Sequence, residues 1–202
     1  MILWDVDTQV DFMLPDGKLY VPGAAEIIPA VQRLVAAGRE AGVVHVASAD
    51  DHELTDAEIA EEPDFDTTYP PHCLRGTRGA RKIPETEQLD PVPITLEPLP
   101  AHYLRGREFL ILKKTFDVFT NPNTERLLVH LDPGEVVLFG VANDVCNDAA
   151  IQGLLARGRN VRFVQDAARG LDEGRVAACE VKWRDAGVVF STADEVISHL
   201  RG

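Results

Sequence analysis

Short apolar runs rich in Val, Ile and Phe recur along the chain at 2–6, 43–47, 109–112, 136–141, 161–164 and 188–190. Continuous rather than alternating hydrophobicity over so few residues is the pattern of strands buried on both faces. Between most of these runs lie segments of helical period. In the first, Ile27, Ile28, Val31, Leu34 and Val35 share one face, and Gly38 and Gly42 mark its end. Further helices are expected over 123–131, 144–157, 172–186 and 192–200, each beside a strand. This alternation predicts a three-layer α/β/α fold with a mainly parallel six-stranded sheet. Such sheets bind ligands at the carboxyl ends of their strands, which directs attention to Asp7, 48–52, Lys113 and 141–146.

The stretch from about 53 to 107 has neither period and carries Pro63, Pro70, Pro71, Pro84, Pro91, Pro93, Pro98 and Pro100. A segment of that length is a lid or binding loop, or else holds short elements that periodicity does not resolve. The whole chain, 1–202, is expected to form one domain, large enough to bury a core without disulfides. Its 33 acidic and 20 basic residues give a net charge of −13, which repels phosphate backbones and anionic lipid, so neither nucleic acid nor membrane is expected as a partner. No apolar run approaches the roughly 20 residues that cross a bilayer, and the acidic start is unlike a signal peptide; a cytoplasmic protein is expected. Cys73, Cys146 and Cys179 form neither a disulfide framework nor a C-x-x-C metal pattern, which leaves room for a working thiol.

Cys146 follows the run 136–141 and the turn A-N-D-V, and opens a helix through Ala149, Ala150, Leu154 and Leu155. The positive helix end favours thiolate there, and unpaired N–H groups can hold an oxyanion; the alternative is a small apolar residue packed under the turn. Asp7 ends a strand whose apolar neighbours would desolvate it and raise its pKa, as suits a general base, unless it merely caps the turn into Gln9 and Asp11. Lys113 alternates in phase with Phe109 and Ile111, so its ammonium points to a buried face and requires an anion; the doublet Lys113–Lys114 equally suits a strand running into solvent. Asp50-Asp51-His52 and Tyr69-Pro70-Pro71-His72-Cys73 combine histidines and acids as a Zn, Mn or Fe site does, although a solvated acidic loop has the same composition. His45, His102, His130 and His199 lack clustered partners and are assigned structural or surface roles.

In this order the pieces resemble the isochorismatase-like cysteine hydrolase superfamily, and within it the nicotinamidases, over nearly the whole chain. D-T-Q-V-D-F at 7–12 resembles the family's D-x-Q-x-D-F opening, whose first Asp is the catalytic acid/base. K-K-T-F-D-V-F at 113–119 resembles its lysine segment, in which the catalytic Lys stands six positions before a Phe, selecting Lys113. G-V-A-N-D-V-C at 140–146 is similar to G-V-A-T-x-x-C, which delivers the nucleophile Cys146; Asn143 stands at the family's Thr. The resemblance implies a cis bond between Val141 and Ala142 and an oxyanion hole from the N–H groups of Ala142 and Cys146. D-D-H at 50–52 and P-P-H-C-L-R-G-T-R-G at 70–79 resemble the nicotinamidase metal motifs and imply Asp50, His52 and His72 as ligands of one divalent transition metal, Zn, Mn or Fe. Glu58 stands where some relatives carry a further histidine, and could ligate through oxygen or water, or leave the site open.

The implied activity is hydrolysis of nicotinamide to nicotinate and ammonia through a thioester, with Phe12 and Tyr69 as flat walls for a small-molecule amide and a homo-oligomeric assembly. Alternatives are an amidase of the same fold acting on another small amide or N-carbamoyl compound, a metal-independent isochorismatase-type enzyme, and a catalytically silent binding protein.

Overall fold

Five consecutive buried residues make β1 (Ile2–Val6) the middle of a sheet, with β2 (Val44–Asp50) on one side and β5 (Glu135–Val141) on the other. Beyond β2 lie β4 (Glu108–Lys113) and β3 (Val92–Ile94); beyond β5 lie β6 (Asn160–Arg169) and β7 (Val189–Ser191). The order is β3-β4-β2-β1-β5-β6-β7, and every pairing is parallel. This computed structural model describes residues 1–99 and 103–202; Pro100 and His102 lie outside the described residues.

Parallel strands need crossovers, and helices on both faces supply them. Along β1 the side chains alternate. Ile2, Trp4 and Val6 share a core with Leu127 and Leu128 of α3 (Pro122–Leu131), Ile151 and Leu154 of α4 (Cys146–Ala156) and Trp183 of α5 (Glu173–Asp185). Leu3 joins the opposite core with Ile27, Val31 and Leu34 of α2 (Ala24–Glu40) and Val196 and Ile197 of α6 (Ala193–Arg201). The three-layer α/β/α fold is therefore present. Among the described residues no helix is long and apolar enough to cross a membrane.

The sheet has seven strands where six were expected. The additional strand, β3, lies inside the Pro-rich excursion; three residues centred on Pro93 carry no readable period, and a sheet edge tolerates the missing N–H. Helix α2 runs through Gly38, which was expected at its end. A Cβ there would come within 2.3 Å of Leu3 Cδ1, so Gly38 lets helix and sheet approach, and Gly42, at φ +67°, follows the actual stop. A four-residue helix, α1 (Val10–Met13), follows the tip of β1. The excursion folds back over β2 through isolated bridges pairing His52 with Leu74 and Ile59 with Tyr69.

Candidate active site

Because β4, β2, β1 and β5 are neighbours, their carboxyl ends form one continuous crevice. At the tip of β1 the chain turns through Asp7, whose φ of +49° is left-handed, a conformation Asp tolerates better than most residues. Its carboxyl is buried. Ser48 Oγ donates to Oδ1 at 2.7 Å, while Oδ2 lies 2.9 Å from Lys113 Nζ in an ion pair whose angles are not those of a hydrogen bond. Lys113 ends β4 on the buried face shared with Phe109 and Ile111. Its ammonium also donates to Asp50 Oδ1 and lies 3.8 Å from Cys146 Sγ. Carboxyl, ammonium and sulfur thus meet, and neither a lysine running into solvent nor a merely turn-capping Asp7 describes this arrangement.

Burial alone would drain charge from Lys113, but Asp50 and Asp7 outweigh it and hold the group well above the ordinary lysine value. For Cys146 the balance goes the other way. Burial pushes the thiol well up, the charge of Lys113 opposes this, and Asp7 and Asp50 reinforce it. Desolvation of the sulfur thus opposes the bias to thiolate that the helix end and Lys113 supply.

Between β5 and α4 the Val141–Ala142 bond is cis, as the resemblance implied. Asn143 N–H donates to Arg169 O and Asn147 N–H to Ala142 O, whereas the N–H groups of Ala142 and Cys146 have no acceptor among the described residues. Asn143 has a role of its own in the turn: its Oδ1 accepts from Asn147 Nδ2 at 2.8 Å, and the same amide reaches Gly140 O at 3.1 Å.

Past Lys113, Asp50 turns Oδ2 toward His72 Nε2 at 3.4 Å and His52 Nε2 at 3.7 Å, and Glu58 Oε1 lies 3.8 Å from His52 Nε2. One donor atom from each of these four buried residues falls within 4.8 Å of the others. Three features suit a divalent cation. His52 Nε2 is buried without a partner. His72 Nδ1 lies 2.7 Å from Pro70 O; a carbonyl only accepts, so Nδ1 carries the hydrogen and Nε2 offers its lone pair to the cluster. Burial and the Asp50 charge push the Glu58 carboxyl up, a cost that a shared cation would reverse. Two nitrogen and two oxygen donors match Zn, Mn or Fe.

Sequence reasoning gave no role to Gln9. Its Nε2 donates to Asp50 O and Ala80 O, both at 2.8 Å, and its Oε1 accepts from Asp50 N–H at 2.7 Å, clipping the tip of β2 to the excursion. Asp11 Oδ2 accepts from Cys73 N–H at 2.7 Å and so anchors the residue after His72. The signal for both was their place in the D-x-Q-x-D-F opening, which marks the positions without saying what they hold.

A narrow pocket of about 330 Å³, mouth included, joins the thiol to the cluster. Phe12, Leu19, Val21, Tyr69, Val145 and Leu171 give it apolar walls; Asp50, Glu58, His72 and Cys146 also line it, and among the described residues no Lys or Arg does. Phe12 and Tyr69 therefore sit where flat walls were expected, with ring centroids 5.2 and 6.3 Å from that of His72.

The Isochorismatase domain model matches residues 2–195. The nicotinamidase/pyrazinamidase of Mycobacterium tuberculosis is 27% identical over 187 residues, covering 91% of this chain and 94% of that one. Among solved structures, a pyrazinamidase of Pyrococcus horikoshii in complex with zinc superposes with a TM-score of 0.74 at 24% identity, covering 95% of this chain and 98% of that one. An N-carbamoylsarcosine amidase from Thermoplasma acidophilum gives 0.73 at 20% identity, with 96% of each chain covered. At such identities these two structural likenesses speak to the fold.

Proposed function

The chain belongs to the isochorismatase family, and on that premise we propose that it is an amidohydrolase that cleaves nicotinamide to nicotinate and ammonia through a thioester on Cys146. The observation that carries this reading is the meeting of Cys146 with Asp7 and Lys113 beside a small apolar pocket that also touches a buried Asp–Glu–His group.

Asp7 Oδ2, which accepts no hydrogen bond, takes the thiol proton as the sulfur attacks the carboxamide carbon. The free N–H groups of Ala142 and Cys146 donate to the oxygen that becomes anionic. Asp7 then passes its proton to the departing nitrogen, the C–N bond breaks, and ammonia leaves. Water attacks the thioester, Asp7 takes its proton, and the regenerated sulfur recovers it as nicotinate departs. Lys113, kept cationic by Asp50 and Asp7, sets a positive charge 2.9 Å from Asp7 Oδ2, beside the atom that carries the proton in these transfers. Phe12 and Tyr69 flank the ring. A divalent cation held by Asp50, His52, Glu58 and His72 would supply a Lewis-acidic contact for the ring nitrogen, directly or through bound water.

The apolar walls, with no Lys or Arg among the described lining residues, favour an uncharged amide over carbamoyl compounds that bear a carboxylate. The test is ammonia release from nicotinamide, pyrazinamide and N-carbamoyl amino acids by the metal-loaded protein. Nicotinamide should be among the fastest substrates; turnover confined to N-carbamoyl compounds, or none at all, overturns the reading.

A further inference from the structure

Asp56 and Lys114 take no part in the reaction above, yet both reach the edge of the Asp50–His52–Glu58–His72 group. Lys113 is the last residue of β4 and turns to the sulfur, and Lys114, just past the strand, reaches over the loop after β2. Its Nζ lies 3.1 Å from Asp56 Oδ2 and donates to Asp51 O. The same Asp56 oxygen accepts from Glu53 N–H at 2.8 Å and lies 3.3 Å from His52 Nδ1. A carboxylate already drawing an ammonium and a backbone N–H acts only as an acceptor, so His52 Nδ1 carries the hydrogen. That leaves Nε2, buried and without a partner, facing Asp50 Oδ2 and Glu58 Oε1 with its lone pair. His72 is oriented by a backbone carbonyl, which no substitution removes; His52 is oriented by a side chain, which one can.

We propose that Asp56, clamped by Lys114, is a positioning residue that fixes the tautomer and rotation of His52 and thereby sets the affinity of the site for its divalent cation. The proposal rests on the reading of Asp50, His52, Glu58 and His72 as ligands. A carboxylate behind a ligating histidine changes metal affinity by about 10- to 100-fold in general.

The full chain, stripped with a chelator, is titrated with Zn²⁺ against a chromophoric competitor, without recourse to turnover. Asp56→Ala should weaken zinc binding by about 10- to 100-fold at unchanged stoichiometry, and Lys114→Met by less in the same direction. In a His52→Ala background, Asp56→Ala should cost nothing further, because its effect passes through the missing ring. Equal losses in both backgrounds, with a lowered unfolding midpoint of the stripped protein, would mark Asp56 as a structural loop residue and overturn the proposal. Wild-type binding matched by Asp56→Ala would overturn the proposal alone, whereas a wild-type chain that takes up no zinc would overturn the ligand reading with it.

Discussion

Lys113 and Asp50 are joined twice, as register neighbours at the tips of β4 and β2 and as ammonium and carboxylate in the crevice above them. Burial alone would raise Asp50, but the charge of Lys113 and the neighbouring His52 and His72 rings outweigh it and hold the carboxyl well below its usual range. One ionised carboxylate thus faces the sulfur's ammonium with one oxygen and the histidines with the other.

Substitution of Asp50 should therefore damage two properties at once. Asp50→Ala is expected to lose both bound metal and ammonia release, and excess cation should not restore the activity. His72→Ala should lose metal while leaving the pH profile of Cys146 alkylation near that of wild type. Metal analysis and alkylation rates on the same preparations separate the two; an Asp50→Ala protein rescued by added zinc would refute the shared role.

Cys146→Ala should lower ammonia release by a factor of about 10⁴ or more while preserving the unfolding midpoint, since the nucleophile acts as a unit with its base. Turnover within tenfold of wild type would exclude the thioester route.

The resting thiol has its own pH signature. With burial pushing Cys146 up against the pull of Lys113, iodoacetamide should modify it slowly near neutrality and faster as the pH rises past the ordinary thiol range. Peptide mapping across pH 6 to 10 (roughly the window spanned by free thiols) measures this; a rate already level below pH 8 would contradict it.

A second buried ion pair, Asp5 with Lys82 at 3.0 Å, lies behind the crevice. Burial raises Asp5, yet Lys82 and then His45 outweigh it, so its folded pKa lies below the unfolded value of about 3.9. The unfolded chain therefore takes up this proton first on acidification. The pair's contribution is present above about pH 4 and is lost as the pH falls through the folded pKa. Asp5→Asn should cost about 3 kcal/mol at pH 7 by leaving Lys82 buried and unpaired, and should flatten the acid limb of the stability curve. Urea titrations at pH 3 and 7 test this, and a variant with wild-type stability at pH 7 would disprove it.

Much of this layout was readable before any coordinates. β1, β2 and β5 are short runs of buried residues that give away parallel strands and their tips, and β4 alternates with Lys113 in phase with Phe109 and Ile111; hence Asp7, Lys113 and Cys146 could be singled out. The candidate metal group was not readable from spacing, since His52, Glu58 and His72 are brought together by a loop with no period; composition hinted at the histidines, and motif resemblance selected the set. The partners of Gln9, Ser48 and Asp56 were not readable, because what a polar side chain binds depends on where a distant segment returns. The burial that opposes thiolate at Cys146 was not readable for a related reason: a helix terminus is visible locally, whereas desolvation is set by everything packed around the sulfur.

Asp7, Lys113 and Cys146 are borne by the sheet and the first residue of α4, whereas His52, Glu58, Tyr69 and His72 are borne by the excursion and its approach. Only Asp50 belongs to both. The proposed nucleophile with its base and most of the proposed metal group are thus encoded by separable stretches of chain, so a relative's 51–79 segment grafted onto this scaffold should exchange the metal-binding loop and the Tyr69 wall while leaving Phe12, Leu171 and the thiol's neighbours in place.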